Sequence, residues 1–311
     1  MHMMRDAPAA PAPLQEASFF QRARERARKR VLLTFKRALR PFAMRHLRQR
    51  NMRSTESVLS ARGPVVSLTT HGARLQRVFY TVESIARGKL KPSRLVLWID
   101  HALLDAGLPA SLQRLVARGL EVRGTQDLGP HTKYFPQIMS EPVPSRPLVT
   151  ADDDVIYPDY WLQMLVDGWR QHPSAITCFR AYRFGLRPDG QLSPYARWSG
   201  CESVLPSPLH FLTGVAGVLY PVDMQLALRS AADAFKTRCP RADDIWLNVV
   251  ALRAGVPVRQ ITPVRRSFYE VPGTRAHGLA LGNVCGGEND RQITATYTPA
   301  DLARLLEVIA G

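Results

Sequence analysis

The sequence predicts an α/β fold in which helices cover both faces of a mostly parallel sheet. Short, β-prone apolar runs such as Val65–Thr69 and Arg94–Ile99 alternate with segments of helical spacing such as Arg74–Ala86. Gly and Pro residues separate these segments at short intervals, which is typical of strand–helix units. Strands joined through helices run parallel and are buried on both faces. We therefore expect one main domain at 61–297, preceded by an arm at 1–60.

The elements of this domain follow one another in a regular order. The predicted strands are Val65–Thr69, Arg94–Ile99, Leu120–Val122, Arg146–Thr150 and 256–261, and the predicted helices are 74–86, 109–118, 133–140 and a segment from Asp243 to near Gly255. A last helix, 298–311, is expected because Thr298 suits the N-cap, Pro299 the first helical position and Asp301 the first turn.

The excess positive charge lies in the arm, 1–60. The chain has 42 basic and 26 acidic residues, a net charge of +16, and the arm holds 14 of the bases but only 4 of the acids. Residues 7–13 are rich in Pro and Ala and should stay extended, whereas 18–54 reads as a basic helix that Pro41 breaks or kinks. Such a helix suits an anionic membrane surface, although a solvated arm fits equally and nucleic acid is the least expected partner.

Composition excludes several classes of protein. Hydrophobic residues make up 45% of the chain and charged residues 22%, which is ordinary globular usage rather than disorder. The four cysteines, at 178, 201, 239 and 285, form no CxxC pair, and this argues against a zinc knuckle or a disulfide scaffold. No apolar run reaches the roughly 18 residues of a membrane span, and no signal-peptide pattern is present. We expect a reduced, cytoplasmic setting.

Three consecutive aspartates, Asp152, Asp153 and Asp154, follow the fourth predicted strand directly. Ligands of α/β sheets bind beyond the carboxyl ends of strands, so these carboxylates should face a crevice. Unpaired, they would repel one another. Mg²⁺ or Mn²⁺ would relieve the repulsion by binding one or two carboxylates together with phosphate oxygens. The alternative is an acidic turn that caps the next helix.

A second acidic pair, Asp243 and Asp244, opens the helix that ends near Gly255. One of the two could serve as the N-cap and the other could favour the helix dipole, but capping needs only one. Between the two acidic sites, Gly214 and Gly217 allow a ligand to approach the backbone closely. The alternative for this stretch is a buried strand with a bulge.

Together these blocks resemble the GT-A-fold glycosyltransferases, especially bacterial family-2-like enzymes of surface-polysaccharide assembly. Thr150–Pro158 is similar to their DxD region, and Val65–Thr70, Thr81–Ile85 and Lys91–Asp100 are similar to the strands and helix that open their nucleotide-sugar half. The resemblance covers about 64–262 and not the basic arm. It implies a Rossmann-like, mostly parallel sheet.

The resemblance implies a donor side that binds a nucleotide-diphosphate sugar. In that arrangement the nucleotide-binding residues are Thr70 and Arg74 beside the nucleotide, Asp100 at the base or ribose, Lys133 at the diphosphate, and Asp153 within the acidic cluster. Asp152 and Asp154 would hold the ribose and a Mn²⁺ or Mg²⁺ ion, and His277 would complete the metal site. Arg74 and Lys133 could also be solvated surface charges.

The resemblance also implies an acceptor side. Asp244 would deprotonate the acceptor hydroxyl, with Asp243 as helper or cap, or the two in reversed roles. Gly214 and Gly217 would lie against the acceptor, and Trp246 could stack on a sugar ring, although such a residue is more often core. The expected reaction is inverting sugar transfer to a bacterial glycan or lipid-linked saccharide, in the cytoplasm or peripherally on the cytoplasmic face of the inner membrane.

Two other functions stay open. A haloacid-dehalogenase-like phosphohydrolase also places an Asp-x-Asp motif after a strand and a later acidic pair downstream. Against it, about 90 residues of strand–helix units precede the cluster and no Gly-Thr follows Asp154. A non-enzymatic protein that binds polyanions through its arm is the third alternative.

Overall fold

The computed structural model describes residues 40–274 and 287–310. The described residues from Leu47 onward form one compact unit, and the described residues 40–46 belong to a separate one. Residues 40–53 are helical (α1). The predictions for 7–13, for most of the basic helix and for His277 lie outside the described residues.

A seven-stranded sheet forms the centre of the fold. Its strands are β1 (Val65–Thr69), β2 (Arg94–Asp100), β3 (Leu120–Thr125), β4 (Leu148–Ala151), β6 (Ile176–Cys178), β9 (Val218–Tyr220) and β10 (Val258–Gln260), in the spatial order β10-β6-β9-β4-β1-β2-β3. Strand β9 pairs antiparallel with β4 and β6, and the remaining pairs are parallel. The predicted mostly parallel sheet is therefore confirmed.

The topology determines where a ligand can bind. The order β3-β2-β1-β4 is that of the first half of a doubly wound Rossmann sheet, in which the chain moves outward from β1 and then returns to its other side. The crevice of such a sheet opens at the carboxyl ends of the strands at this switch point, here between β1 and β4. Thr70 and the three aspartates at 152–154 follow these two strands.

Helices cover both faces of the sheet. The strands alternate, so that Val65, Leu148 and Tyr220 face one core while Val66 and Val149 face the other. The first core is completed by α5 (Phe135–Ser140), α7 (Val222–Ser230), α8 (Phe235–Arg238), α9 (Asp243–Arg253), α10 (Glu288–Thr296) and α11 (Pro299–Ala310), and the second by α2 (Val78–Ala86), α4 (Ala110–Val116) and α6 (Trp161–Gln171).

Smaller elements connect these layers. They are α3 (His101–Asp105), the 3₁₀ turns Gly72–Gln76, Gly129–Lys133 and Tyr195–Arg197, the pair β5 (Val155–Ile156) with β11 (Tyr269–Glu270), and the pair β7 (Ala181–Arg183) with β8 (His210–Leu212). The last helix begins as predicted, since Thr298 N–H and Oγ1 both donate to Asp301 Oδ2 at 2.8 Å.

Residues 47–60, which the sequence assigns to the arm, pack instead into the main unit. Leu47 and Val58 are fully buried. Asn51 donates from Nδ2 to Glu83 Oε1 at 3.1 Å and to the Ser111 carbonyl at 3.0 Å. The boundary of the main unit therefore lies near residue 47 rather than 61. Among the described residues, no helix is long and apolar enough to span a bilayer.

Candidate functional site

Asp153 anchors the acidic turn from within. Its Oδ2 accepts a hydrogen bond from Thr70 Oγ1 at 2.6 Å and its Oδ1 accepts one from Arg74 Nη1 at 2.7 Å, while its carbonyl accepts from Thr81 Oγ1 at 2.8 Å. Thr70 and Asp153 are both buried. Thr70 and Arg74 thereby position the turn through Asp153. All three were predicted to bind the nucleotide, but their side chains hydrogen-bond to one another.

Arg74 connects this turn to a distant segment. Its Nη2 lies 3.3 Å from Asp154 Oδ2 and donates to the carbonyl of Thr274 at 2.8 Å. The backbone N–H of Val271 also donates to the carbonyl of Asp154 at 2.6 Å. The segment before residue 275 is thereby held against the acidic turn.

Asp152 and Asp154 are the aspartates of this turn whose side chains keep some exposure, 25% and 22% respectively. Burial raises the pKa of Asp152 to about 6, and the neighbouring aspartates add to the effect while Lys133 opposes it. Burial and the adjacent Asp153 carboxylate also raise the pKa of Asp154. Both sites therefore disfavour negative charge unless a cation is near.

Lys133 joins the two acidic clusters. Its Nζ lies 2.9 Å from Asp243 Oδ2 and 3.8 Å from Asp152 Oδ1. Burial lowers the pKa of Lys133, but the surrounding carboxylates outweigh this effect and raise the pKa above its ordinary value. The ammonium group is thus a permanent cation between aspartates that are about 90 residues apart in the chain. Ser67 Oγ on β1 donates to the Lys133 carbonyl at 2.7 Å and helps to hold it there.

Asp244 lies on the other side of Lys133, at the N-terminus of α9. Its Oδ1 accepts the backbone N–H of Gly214 at 2.8 Å. Burial and the adjacent Asp243 raise the pKa of Asp244, whereas Lys133 and the Gly214 hydrogen bond lower it. A Cβ atom at position 214 would lie 2.8 Å from Lys133 Nζ and 3.3 Å from Asp244 Oδ1, so only glycine leaves room for this arrangement.

The loop after Gly214 has an unusual backbone. Ala216 has φ = 74°, a left-handed conformation that costs a non-glycine residue energy and recurs at functional sites. The Ala216 carbonyl accepts from Trp161 Nε1 at 2.7 Å. Gly217 has φ = 96°, and a side chain there would collide with the Trp161 indole. Packing against Trp161 therefore explains why residue 217 is glycine, and contact with a sugar acceptor is not needed to explain it.

Two predicted residues have other roles in the structure. Asp100 caps α3, where its Oδ1 accepts the Ala102 N–H at 2.8 Å. Trp246 is 2% exposed and packs in the core near Phe235. A sugar ring cannot stack on it as predicted, because α9 is buried along almost its whole length and leaves no face of this ring accessible.

The carboxylates of Asp152 and Asp154 fit a hard divalent cation. They are oxygen donors on one turn, and a cation would relieve the charge that raises the pKa of each. Asp153 does not fit, because Thr70 and Arg74 occupy both its oxygens. Within 40–274 and 287–310, no three His, Cys, Asp or Glu side chains form a metal-binding group. Two carboxylates match a Mg²⁺ site completed by phosphate oxygens.

Sequence reasoning missed residues that position this cluster. His131, two residues before Lys133, is fully buried and hydrogen-bonded at both ring nitrogens. Tyr157 accepts the Asp152 N–H at its hydroxyl, 2.9 Å away. Tyr157 lies inside the DxD-like stretch Thr150–Pro158 but was given no role, and the partners of both residues are known only once the elements are packed. Two surface clefts of about 580 and 470 Å³ lie elsewhere and include none of the predicted site residues.

Comparisons with known proteins give remote likenesses. No family model and no curated protein matches the chain. A CMP:2-keto-3-deoxy-manno-octonic acid synthetase complexed with CTP aligns over 70% of this chain and 97% of its own, with 12% identity and a TM-score of 0.41. Residues 1–349 of S. aureus TarS align over 67% of this chain and 59% of that chain, with 11% identity and a TM-score of 0.40. At these values neither structure bears on the function of this chain.

Proposed function

We propose that this chain is a glycosyltransferase that moves a sugar from a nucleotide-diphosphate donor to a hydroxyl group of a bacterial glycan or glycolipid. One observation carries the proposal: Lys133 brings Asp152, of the first acidic cluster, and Asp243, of the second, into one site. This site lies at the carboxyl edge of the sheet, beside the switch point where α/β sheets bind ligands.

The proposed base is Asp244. A general base works best when its pKa is close to the working pH and it is held within reach of the proton it accepts. Burial beside Asp243 raises the pKa of Asp244 toward that range, and the Gly214 N–H orients one of its oxygens. Asp243 is the weaker candidate because its Oδ2 is committed to the Lys133 ion pair.

The proposed donor side consists of Asp152, Asp154 and Lys133. Asp152 and Asp154 would hold a Mg²⁺ or Mn²⁺ ion, which when bound neutralises the charge that develops on a diphosphate leaving group. Lys133 adds a fixed positive charge next to these carboxylates, and fixed charge in a buried site stabilises a developing anion more than solvent does.

The reaction then needs no further reactant. The acceptor hydroxyl oxygen forms a bond to the anomeric carbon while its proton passes to Asp244. The bond from that carbon to the diphosphate oxygen breaks, and its electron pair stays on the diphosphate. Attack on the face opposite the leaving group inverts the anomeric centre, which is the outcome we propose.

Two variants of the full chain test this function. Asp244→Asn should retain Mg²⁺-dependent binding of a nucleoside diphosphate but reduce sugar transfer by about 10²- to 10⁴-fold, because only the base is removed. Asp154→Asn should lose the Mg²⁺-dependent part of nucleotide binding, measured as thermal stabilisation. Asp233→Asn, an exposed aspartate paired with Lys236, is the matched control.

Other outcomes would point elsewhere. Full turnover in both variants would remove the assignment of the site. Hydrolysis of a generic phosphoester without any use of a nucleotide sugar would favour a phosphohydrolase. Absence of nucleotide binding in the wild-type chain would favour a protein that only binds polyanions.

A further inference from the structure

Two arginines flank a single tyrosine beside the candidate base. The guanidinium carbon of Arg265 lies 4.8 Å from the centroid of the Tyr182 ring, and that of Arg180 lies 5.5 Å from it. Arg180 Nη2 also donates to the Tyr182 hydroxyl at 2.7 Å. On its other side, Arg265 packs so closely on Gly200 that a Cβ there would lie 2.7 Å from its Nε. Arg180 is thus fixed by a hydrogen bond and is half-buried, whereas Arg265 is exposed and packs on Tyr182 and Gly200.

Within the described residues, neither Arg180 nor Arg265 has a carboxylate partner. The Nε atom of Arg180 is buried and donates to no acceptor in that part of the chain. An isolated pair of like charges is unfavourable, and a guanidinium group binds phosphate or carboxylate through two parallel hydrogen bonds. The arrangement is therefore suited to an oxyanion.

The pair lies on the acceptor side of the site. Arg180 follows β6, and its carbonyl accepts the N–H of Thr213 at 3.1 Å, next to the Gly214 that binds Asp244. In the sheet, β9 separates β6 from β4, so the end of β6, which Arg180 follows, is two strand spacings or roughly 10 Å from the end of β4, on the side opposite to β1. The candidate base Asp244 is therefore held next to the segment that carries Arg180.

Tyr195 lies near enough to Asp244 and to both arginines to feel their charges. The pKa of Tyr195 is raised by burial and by the Asp244 carboxylate, and it is lowered by the charges of Arg180 and Arg265. The Tyr195 ring lies 5.8 Å from that of Tyr182, centroid to centroid. One phenol is therefore within electrostatic reach of the candidate base and of both arginines.

We infer that Arg180 and Arg265 form an oxyanion subsite for the acceptor, so that the natural acceptor is an anionic saccharide with a phosphate or carboxylate group near the hydroxyl that receives the sugar. The inference rests on the proposed function and specifies its substrate class. The donor diphosphate is assigned to Asp152, Asp154 and Lys133 instead, because these residues meet after β4, whereas Arg180 follows β6.

Binding of three glycosides that differ only in charge tests the inference. Methyl glucoside, its 6-phosphate and methyl glucuronide are titrated into the full chain by ligand-observed NMR, with and without a saturating nucleoside diphosphate and Mg²⁺. Wild-type protein should bind at least one anionic glycoside about tenfold more tightly than the neutral one, as expected for a charged hydrogen-bonded pair. The phosphate and carboxylate arms identify which oxyanion is preferred.

Three variants connect this preference to the arginines. The double variant Arg180→Gln, Arg265→Gln should abolish the preference for an anionic over the neutral glycoside. Gly200→Ala should weaken it without changing the net charge, because the new Cβ displaces the Arg265 guanidinium. Arg183→Gln removes the same charge from the face of β7 opposite to Tyr182 and should leave the preference intact.

Several results would overturn the inference. These are equal or undetectable binding of all three glycosides to the wild-type chain, a preference that survives the double substitution, or an equal loss in Arg183→Gln. Weaker nucleoside diphosphate binding in the double variant would likewise assign the arginines to the donor. Nucleotide binding is measured in the same samples, so failure of the proposed function is distinguished from failure of the subsite.

Discussion

Asp152 and Asp244 are carboxylates whose surroundings disfavour their charge. Burial is the main cause for each, and neighbouring aspartates add to it. Within the described chain, Lys133 is the one lysine that lies close to these carboxylates, so their charge is only partly compensated by lysine. Such residues typically reduce stability in exchange for a functional geometry.

Asp152→Asn should therefore stabilise the protein at high pH. The pKa of Asp152, raised to about 6 from 3.8, means that the folded state holds this proton more tightly than the unfolded chain. Its contribution to the free energy of unfolding is thus present below about pH 4 and lost as the pH rises through 6. Because the side chain is a quarter exposed, we expect a gain of roughly 1–2 kcal/mol at pH 8 and none below about pH 4.

Denaturant unfolding at several pH values measures this difference. Asp233→Asn, at an exposed position, should show no comparable gain. A variant that is less stable than wild type at pH 8 would mean that the Lys133 ion pair outweighs the burial of Asp152.

The 3₁₀ turn Gly129–Lys133 is the element that delivers Lys133 to the site. Its His131 holds the turn against the α8–α9 junction: Nε2 lies 2.9 Å from the carbonyl of Cys239 and Nδ1 lies 2.8 Å from the Tyr134 hydroxyl. A carbonyl can only accept, so Nε2 carries the proton and Nδ1 accepts from the tyrosine. The ring also stacks on Phe235 at 4.0 Å.

Protonation of His131 should weaken this element in acid. Burial lowers the pKa of His131 to about 4. The neutral ring therefore contributes stability that is present above about pH 6.5 and lost as the pH falls through 4, on the order of 3 kcal/mol in total. We expect His131→Gln, which retains a donor but does not titrate, to show a shallower loss of stability between about pH 6.5 and 4.

The corresponding measurement is chemical unfolding across this pH range. His71→Gln, at an exposed position, should follow the wild-type curve. If the free energy of unfolding of wild type and of His131→Gln falls equally between about pH 6.5 and 4, the His131 ring is not the group that titrates.

At the scale of the molecule, α2 links the N-terminal segment to the acidic turn. Its Glu83 is fully buried and pairs with Arg118, and it also accepts from Asn51 of α1. Two residues earlier in the same helix, Thr81 donates to the carbonyl of Asp153. A buried carboxylate that loses its partners is strongly destabilising, so the chain from Leu47 onward is needed for this core.

Two truncations separate the arm from the core. A chain lacking 1–60 should be less stable than one lacking 1–39 by at least about 5 kcal/mol, because it loses Leu47, Val58 and the Asn51 hydrogen bonds. Thermal unfolding compares the two proteins. Equal stability would show that 40–60 does not belong to the main unit.

The same truncations test the arm as a membrane contact. We propose that the basic arm binds anionic lipid, so the full chain should sediment with phosphatidylserine vesicles more than the chain lacking 1–39. Equal sedimentation of the two proteins, or equal binding to neutral vesicles, would contradict this proposal.

Local pattern determined most of the sheet. The predicted bounds of Val65–Thr69 match β1, and those of Arg94–Ile99 differ from β2 by one residue, because continuous apolar runs flanked by Gly and Pro have few alternatives to a buried strand. The acidic clusters were likewise visible, since Asp152–Asp154 directly follow a strand and Asp243 opens a helix.

The sequence by itself determined the α/β class, five of the seven central strands, and the position of Asp152–Asp154 after a strand, but it missed β6 and β9. Only the tertiary structure decided that Lys133 joins the two clusters, that Trp246 is core, and that Arg180 and Arg265 flank one ring. The reason is physical: secondary structure depends on neighbours within a few residues, whereas these contacts join segments up to about 110 residues apart and exist only after the sheet has brought them to one edge.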